Sequence, residues 1–190
     1  MTSLSKRFEK AFQYANKVHK GLFRKGTKIL YISHLLGVVS IVLQYGGNDD
    51  EAIAALLHDA VEDGGGKKRL DEIRTQFGSK VAIIVKECSE TMERPKPEWS
   101  IRKEQYIAHL AHASKSARLV SAADKLHNVR SLISDYNMIG DKLWKRFNSQ
   151  KTKQLWFYRS VVDALKKSGS SPIVGELDRT VSELERVILK

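Results

Sequence analysis

The stretch from Ala54 to Asp63 reads Ala-Ala-Leu-Leu-His-Asp-Ala-Val-Glu-Asp, with four ionisable groups arriving where a core helix should stay apolar. His58 and Glu62 are four positions apart, as are Asp59 and Asp63, so on a helix they occupy neighbouring strips of one face. Three carboxylates and an imidazole held that close repel one another and resist burial. A divalent cation resolves the conflict, because it neutralises carboxylates and accepts an imidazole nitrogen. For Glu62 and Asp63 taken alone, an exposed acidic helix end is an equally good reading. That reading fits His58 and Asp59 poorly, since they follow directly on the apolar run Ile53 to Leu57.

Two other segments carry residues of the same kinds. In Leu30-Tyr-Ile-Ser-His34 a histidine enters a helix at an apolar stretch, where a lone histidine is ordinarily a satisfied core residue. In Val120-Ser-Ala-Ala-Asp-Lys-Leu-His-Asn-Val-Arg130, Asp124 interrupts a face formed with Val120, Ala123 and Leu126. An aspartate in that setting is costly unless something cationic meets it. Lys125 could be that partner in a simple ion pair. Asn128 stands one turn above Asp124.

The elements that must position these groups are helices. Leu4, Phe8, Ala11, Phe12, Ala15 and Val18 recur at three- and four-residue intervals, as do Leu35, Val38, Val39, Val42 and Leu43. Gly46-Gly47 ends the second run, and Asp49 is placed to cap the next. Val81, Ile84, Val85 and Cys88 continue the rhythm after Gly78-Ser79, and 116–138 is a further helix. Ser171-Pro172 opens a last one, over about 172–190, with Leu177, Val181, Leu184 and Ile188 on one face. Glu93–Trp99, with two of the three prolines, is a loop, and Gly64–Arg69 reads as a connector or, alternatively, as a basic loop that holds phosphates. No run alternates apolar and polar residues convincingly. The spacing predicts an all-α bundle of eight to ten helices.

Composition narrows the setting. A chain of 190 residues suits one domain with a core of its own. A single cysteine, Cys88, excludes an internal disulfide and suits a reducing cytoplasm, and its apolar surroundings mark it as a core residue. Neither a signal peptide nor a membrane span is expected. The net charge of +11 favours anionic partners, either nucleic acid or a small polyphosphate.

Arg24-Lys25-Gly26, Tyr31–His34, Leu56–Asp63 and Ala123–Arg130, in this order and spacing, resemble the hydrolase domain of RelA/SpoT-type enzymes. Their stand-alone relatives, the small alarmone hydrolases of the HD phosphohydrolase superfamily, share the pattern. The likeness runs over about residues 5–165. It implies an HD-domain helical bundle holding one Mn2+, which removes the 3′-pyrophosphate of (p)ppGpp to leave GTP or GDP. By matching position it implies His34, His58, Asp59 and Asp124 as metal ligands, with Glu62 and Asp63 activating and orienting water. Arg24 would pack on the base, Lys25 would meet phosphate and Asn128 would stand at the nucleotide. Arg102 and Lys103 are further candidate phosphate contacts. The hydrolase unit would span 1–170, with helix 171–190 packed on it or on a partner subunit. The expected protein is a cytoplasmic monomer or homodimer that degrades the nucleotide without making it. Leu30 and Leu35 stand where the family usually has proline, and Gly64 where threonine commonly follows the acidic pair.

Rival readings keep the same residues. A hydrolase of this kind could act on (p)ppApp, NADPH or another nucleotide. A nucleic-acid-binding module is suggested by the charge and by Lys142–Lys153, although Trp144 and Phe147 there read as core. A silent sensor would keep the pocket without turnover.

Overall fold

The computed structural model describes residues 3–63, 65–147 and 149–189. Ten α-helices follow one another among the described residues: α1 (Lys6–Val18), α2 (Ile32–Gln44), α3 (Asp49–Leu57), α4 (Ala60–Asp63), α5 (Gly66–Phe77), α6 (Ser79–Cys88), α7 (Trp99–Leu110), α8 (Lys115–Ile139), α9 (Lys151–Lys167) and α10 (Pro172–Ile188). A 3-10 segment, Gly140–Arg146, joins α8 to α9. No strand occurs among the described residues; Phe23 and Leu30 form an isolated bridge across the loop before α2. The fold is all-α, as the periodicity predicts.

Helix α3 is the centre of the bundle, because Ala52 to Leu57 are buried on every side. A helix without a polar face needs its ends secured, and Asn48 and Glu51 form a reciprocal capping box there. Asp49, expected as the cap, is already inside the helix. Its carboxylate instead accepts from Ser5 N and Ser5 Oγ at 2.9 and 2.7 Å and from Arg7, which fastens the start of α1 to α3. The extended backbone of Asn48 lets its side chain reach Glu51 N, so the cap falls one residue earlier than the sequence reading put it.

The long helix α8 runs through the molecule and touches α2, α3, α6, α9 and α10. The face of α10 read from the sequence is buried against α8 and α9, with Leu177, Val181 and Leu184 fully enclosed. Glu176 on α10 accepts from Tyr45 beside α2 and pairs with Arg130 on α8. Two readings need correction. Gly66–Arg69 is the first turn of α5, not a connector, because the stripe Leu70, Ile73 and Phe77 is buried and carries the helix back to Gly65. Gly65 enters at φ 112°, which glycine alone adopts without strain. Leu4 precedes α1 and is exposed, as is Phe12 on it, and only Ala11 and Ala15 of the helix are fully enclosed, so the apolar stripe there is narrower than its spacing suggests. Cys88 is buried, and burial pushes its thiol up to about 11. No helix among the described residues is long and apolar enough to cross a membrane.

Candidate metal centre

Three parts of the bundle bring four donor groups together. His34 sits in the first turn of α2, His58 caps the end of α3 with Asp59 directly after it, and Asp124 lies mid-way along α8. Burial fixes these positions, since α2, α3 and α8 pack on one another through apolar faces that leave each side chain only one direction. Nε2 of His34 lies 3.2 Å from Asp124 Oδ1 and 3.6 Å from Asp59 Oδ2. Nε2 of His58 lies 3.1 Å from Asp59 Oδ2 and 3.7 Å from Asp124 Oδ1.

The groups around the donors hold them in place. Nδ1 of His58 meets the Ala55 carbonyl at 2.8 Å. A carbonyl only accepts, so Nδ1 carries the hydrogen and Nε2 faces the cluster. The Tyr31 hydroxyl donates to Asp59 Oδ2 at 2.6 Å. Asn128 donates to Asp124 Oδ1 at 2.5 Å and in turn accepts from Arg24 at 2.6 Å. Lys125 donates to Asp124 Oδ2 at 2.5 Å, the ion pair the sequence offered, while Asp124 Oδ1 lies beside both rings. His127 meets His34 Nδ1 at 2.9 Å.

The electrostatics of the cluster favour a cation. Burial opposes the charge on Asp59 and Asp124. For Asp59 the His58 charge and bonds from both rings overcome it; for Asp124 Lys125 and the same rings do. Both carboxyls therefore stay well below their ordinary range. His58 is driven the other way: burial works against its charge, but Asp59 and Asp124 raise it well above the usual imidazole value. His127 is pushed down to about 4, by burial first and by the neighbouring His34 and Arg24 second, and remains neutral.

The fit to a metal rests on the donors themselves. His58 Nε2 is buried without a well-formed hydrogen bond among the described residues. Ligand atoms of His34, His58 and Asp59 lie within 4.8 Å of one another, and Asp124 Oδ1 closes on both rings. Nitrogen and oxygen donors about 2.1 Å from a first-row cation stand roughly 3 Å apart when neighbouring on its surface. The four contacts above have that spacing. Two imidazoles with two carboxylates suit a borderline divalent ion.

Beside the cluster opens a cavity of about 840 Å³. One face of α8 forms its length, through Asp124, Asn128, Ser131, Asp135 and Met138. Arg24, Lys25 and Phe147 line it as well, Arg24 bonded to Asn128. Lys25 lies over the Phe147 ring at 5.8 Å, and Phe147 is half-buried as cavity wall. Trp99, Arg102, Lys103 and Phe157 also line the cavity. Trp99 packs against Trp156 and Phe157, with Lys103 5.8 Å above its ring and 4.0 Å from the centre of Phe157. Arg102 and Lys103 both pair with Glu90, Arg102 at 2.7 Å. Burial lowers the Lys103 ammonium.

Glu62 is on α4 and reaches the cavity wall through Glu90. Its Oε1 accepts from Glu90 N at 2.6 Å, and Lys96 lies 3.9 Å from Oε2. Burial, and then the Glu90 charge, push its carboxyl up to about 7. Asp63 ends α4, and its side chain falls outside the described residues. Tyr31, His127 and Glu90 are additions to the groups singled out by sequence. His127 has a signal in hindsight: it is three residues after Asp124 and shares its helix face.

The sequence matches the HD domain family over residues 11–148. The chain belongs to that family. HD-domain membership implies a divalent metal, and the donors described fit one. A Xenopus tropicalis protein named guanosine-3′,5′-bis(diphosphate) 3′-pyrophosphohydrolase MESH1 is 42% identical over 125 residues, 64% of this chain and 67% of its own length. Its Homo sapiens namesake is 39% identical over 127 residues, with the same coverage. Alignments with the MESH1 proteins of Xenopus tropicalis, Mus musculus, Homo sapiens and Danio rerio take in 55% to 67% of their own length. A solved metazoan ortholog of SpoT, described as hydrolysing ppGpp, superimposes with a TM-score of 0.76 at 26% identity. That match covers 98% of this chain and 97% of the other. A Listeria monocytogenes EGD-e structure covers 83% of this HD-domain chain and 99% of its own, with a TM-score of 0.68.

Proposed function

We propose that this HD-domain protein is a guanosine-3′,5′-bis(diphosphate) 3′-pyrophosphohydrolase, cutting (p)ppGpp to GTP or GDP and pyrophosphate with one Mn2+ at His34, His58, Asp59 and Asp124. The observation that carries the reading is the convergence of two imidazoles and two carboxylates, one imidazole nitrogen without a well-formed hydrogen bond among the described residues, on a cavity of nucleotide size. The relatives' names supply the substrate class.

A divalent ion held by these four residues would supply the positive charge that offsets charge on the phosphoryl group. The chain's own residues do the rest. Tyr31 and Asn128 keep the two aspartates turned toward the donor cluster. Glu62, near neutrality in its titration, accepts the proton of the attacking water, while Asp63 orients that water. The water oxygen bonds to the 3′-linked phosphorus, the bond to the ribose 3′ oxygen breaks, and that oxygen leaves as the hydroxyl by taking up, through solvent, the proton that Glu62 received. Arg24 packs on the base, and Lys25, Arg102 and Lys103 neutralise phosphate, the last two by exchanging Glu90 for the substrate.

The test is product analysis with the full chain and ppGpp. Pyrophosphate and GDP are expected in equal amounts, lost on chelation and restored best by Mn2+ among first-row ions. Inert ppGpp beside rapid release of phosphate from NADPH would show that the substrate is wrong.

A further inference from the structure

The cavity-lining face of α8 begins at Asp124 in the donor cluster and reaches Asp135 eleven residues later, roughly 16 Å along the helix. If the scissile phosphate lies against the donors, the intervening length accommodates a ribose and a base that packs on Arg24 and turns its far edge toward Asp135. The wall there is chemically particular. Asp135 Oδ2 accepts from Arg146 Nη1 at 2.8 Å, and both side chains are mostly enclosed. Leu132, Met138 and Phe147 line the same cavity and add apolar surface to it. Gly26 makes room for the pair: a Cβ there would stand 2.5 Å from Arg146 Cγ, so only glycine lets the arginine stem lie in this place.

From this arrangement we infer that Asp135, held in position by Arg146, reads the base of the nucleotide and selects guanine over adenine. The inference rests on the hydrolase reading above. Its chemistry is donor and acceptor matching. A carboxylate only accepts, and its two oxygens offer about four lone-pair directions, of which Arg146 takes one. Guanine presents two adjacent donors, N1–H and the N2 amino group, to such an acceptor. Adenine presents a bare N1 beside its N6 amino group, which sets one acceptor against another. Arg146 anchors the plane of the carboxylate from the side of the 3-10 segment. Among the other acids lining the cavity, Asp59 and Asp124 belong to the donor cluster, and Glu90 stands beside Arg102 and Lys103, where the phosphates are neutralised.

The experiment compares kcat/KM for ppGpp and ppApp in the Mn2+-loaded full chain and in two variants, with melting temperature and metal content as controls for folding. The wild type is expected to favour ppGpp by about tenfold or more, the discrimination typical of a two-point base contact. Asp135→Asn offers an amide, which pairs with adenine's donor and acceptor, so the preference falls at least tenfold and turnover of ppApp rises in absolute terms. Asp135→Ala loses the preference through ppGpp alone. Equal use of both nucleotides by the wild type, or an unchanged ratio in Asp135→Asn, overturns the assignment and leaves the hydrolase intact. Failure of the wild type to cut either nucleotide removes the hydrolase reading and this assignment together.

Discussion

At the seam between α9 and α10, Arg159 donates to Asp178 and to Glu185, each at 2.6 Å, and all three side chains remain close to 30% exposed. At the metal centre, His34, His58 and Asp124 are almost wholly enclosed, four donors face one point, and His58 Nε2 has no well-formed hydrogen bond among the described residues. Both regions gather acids and bases within a few ångström. The seam satisfies every charge with a partner and with water, as a surface network does, and such pairs contribute little to stability. The centre concentrates acceptors where water is scarce and keeps Asp59 and Asp124 ionised. What separates a site from a staple here is convergence under burial, not the kinds of residue.

The contrast breaks most visibly at Asp59. Asp59→Ala is expected to abolish turnover and bound metal together, read by product release and elemental analysis of one preparation. If either survives at the wild-type level, the centre is no different in kind from the seam. Glu62→Gln sharpens the comparison inside the site: turnover should fall on the order of 10² to 10⁴-fold while metal content holds, because the proton acceptor is lost and the donors are untouched.

That carboxyl also gives a pH signature. Glu62 titrates at about 7 in the folded chain against an ordinary value of 4.5, so the fold favours its protonated form. The associated stability is present below about 4.5 and is lost as the pH climbs through 7. The shift corresponds to about 3 kcal/mol. Urea titrations of metal-free protein at pH 5 and pH 8 should show the wild type losing part of that amount, and Glu62→Gln losing less. The smallest effect belongs to the seam. Arg159→Ala should cost no more than about 1 kcal/mol and leave kcat/KM unchanged, which a melting curve and a rate assay suffice to check.

Much of this difference is readable along the chain, for definite reasons. His58 and Asp59 betray themselves by following five apolar residues, where an unpartnered charge is expensive. Ser171-Pro172 marks the start of α10 because serine and proline suit the first helical turn. Other features are set by how helices cross. Tyr31 reaches Asp59 across 28 positions, and Glu90 reaches Glu62 across the same interval, with no local pattern announcing either. Gly64-Gly-Gly hides a helix start, since glycine signals a break and the stripe that overrules it begins only at Leu70. The pair Asp135 and Arg146 depends on the 3-10 segment folding back beside α8, which propensity alone does not specify.

Trp99 stands in the cavity wall with an ammonium resting over its ring and a second indole 6.3 Å away. Indole emission responds to nearby charge and to stacked rings. An incoming polyphosphate that draws Lys103 off the ring therefore changes the light the protein gives out. Occupancy of this cleft can be followed in a fluorimeter, with neither label nor turnover.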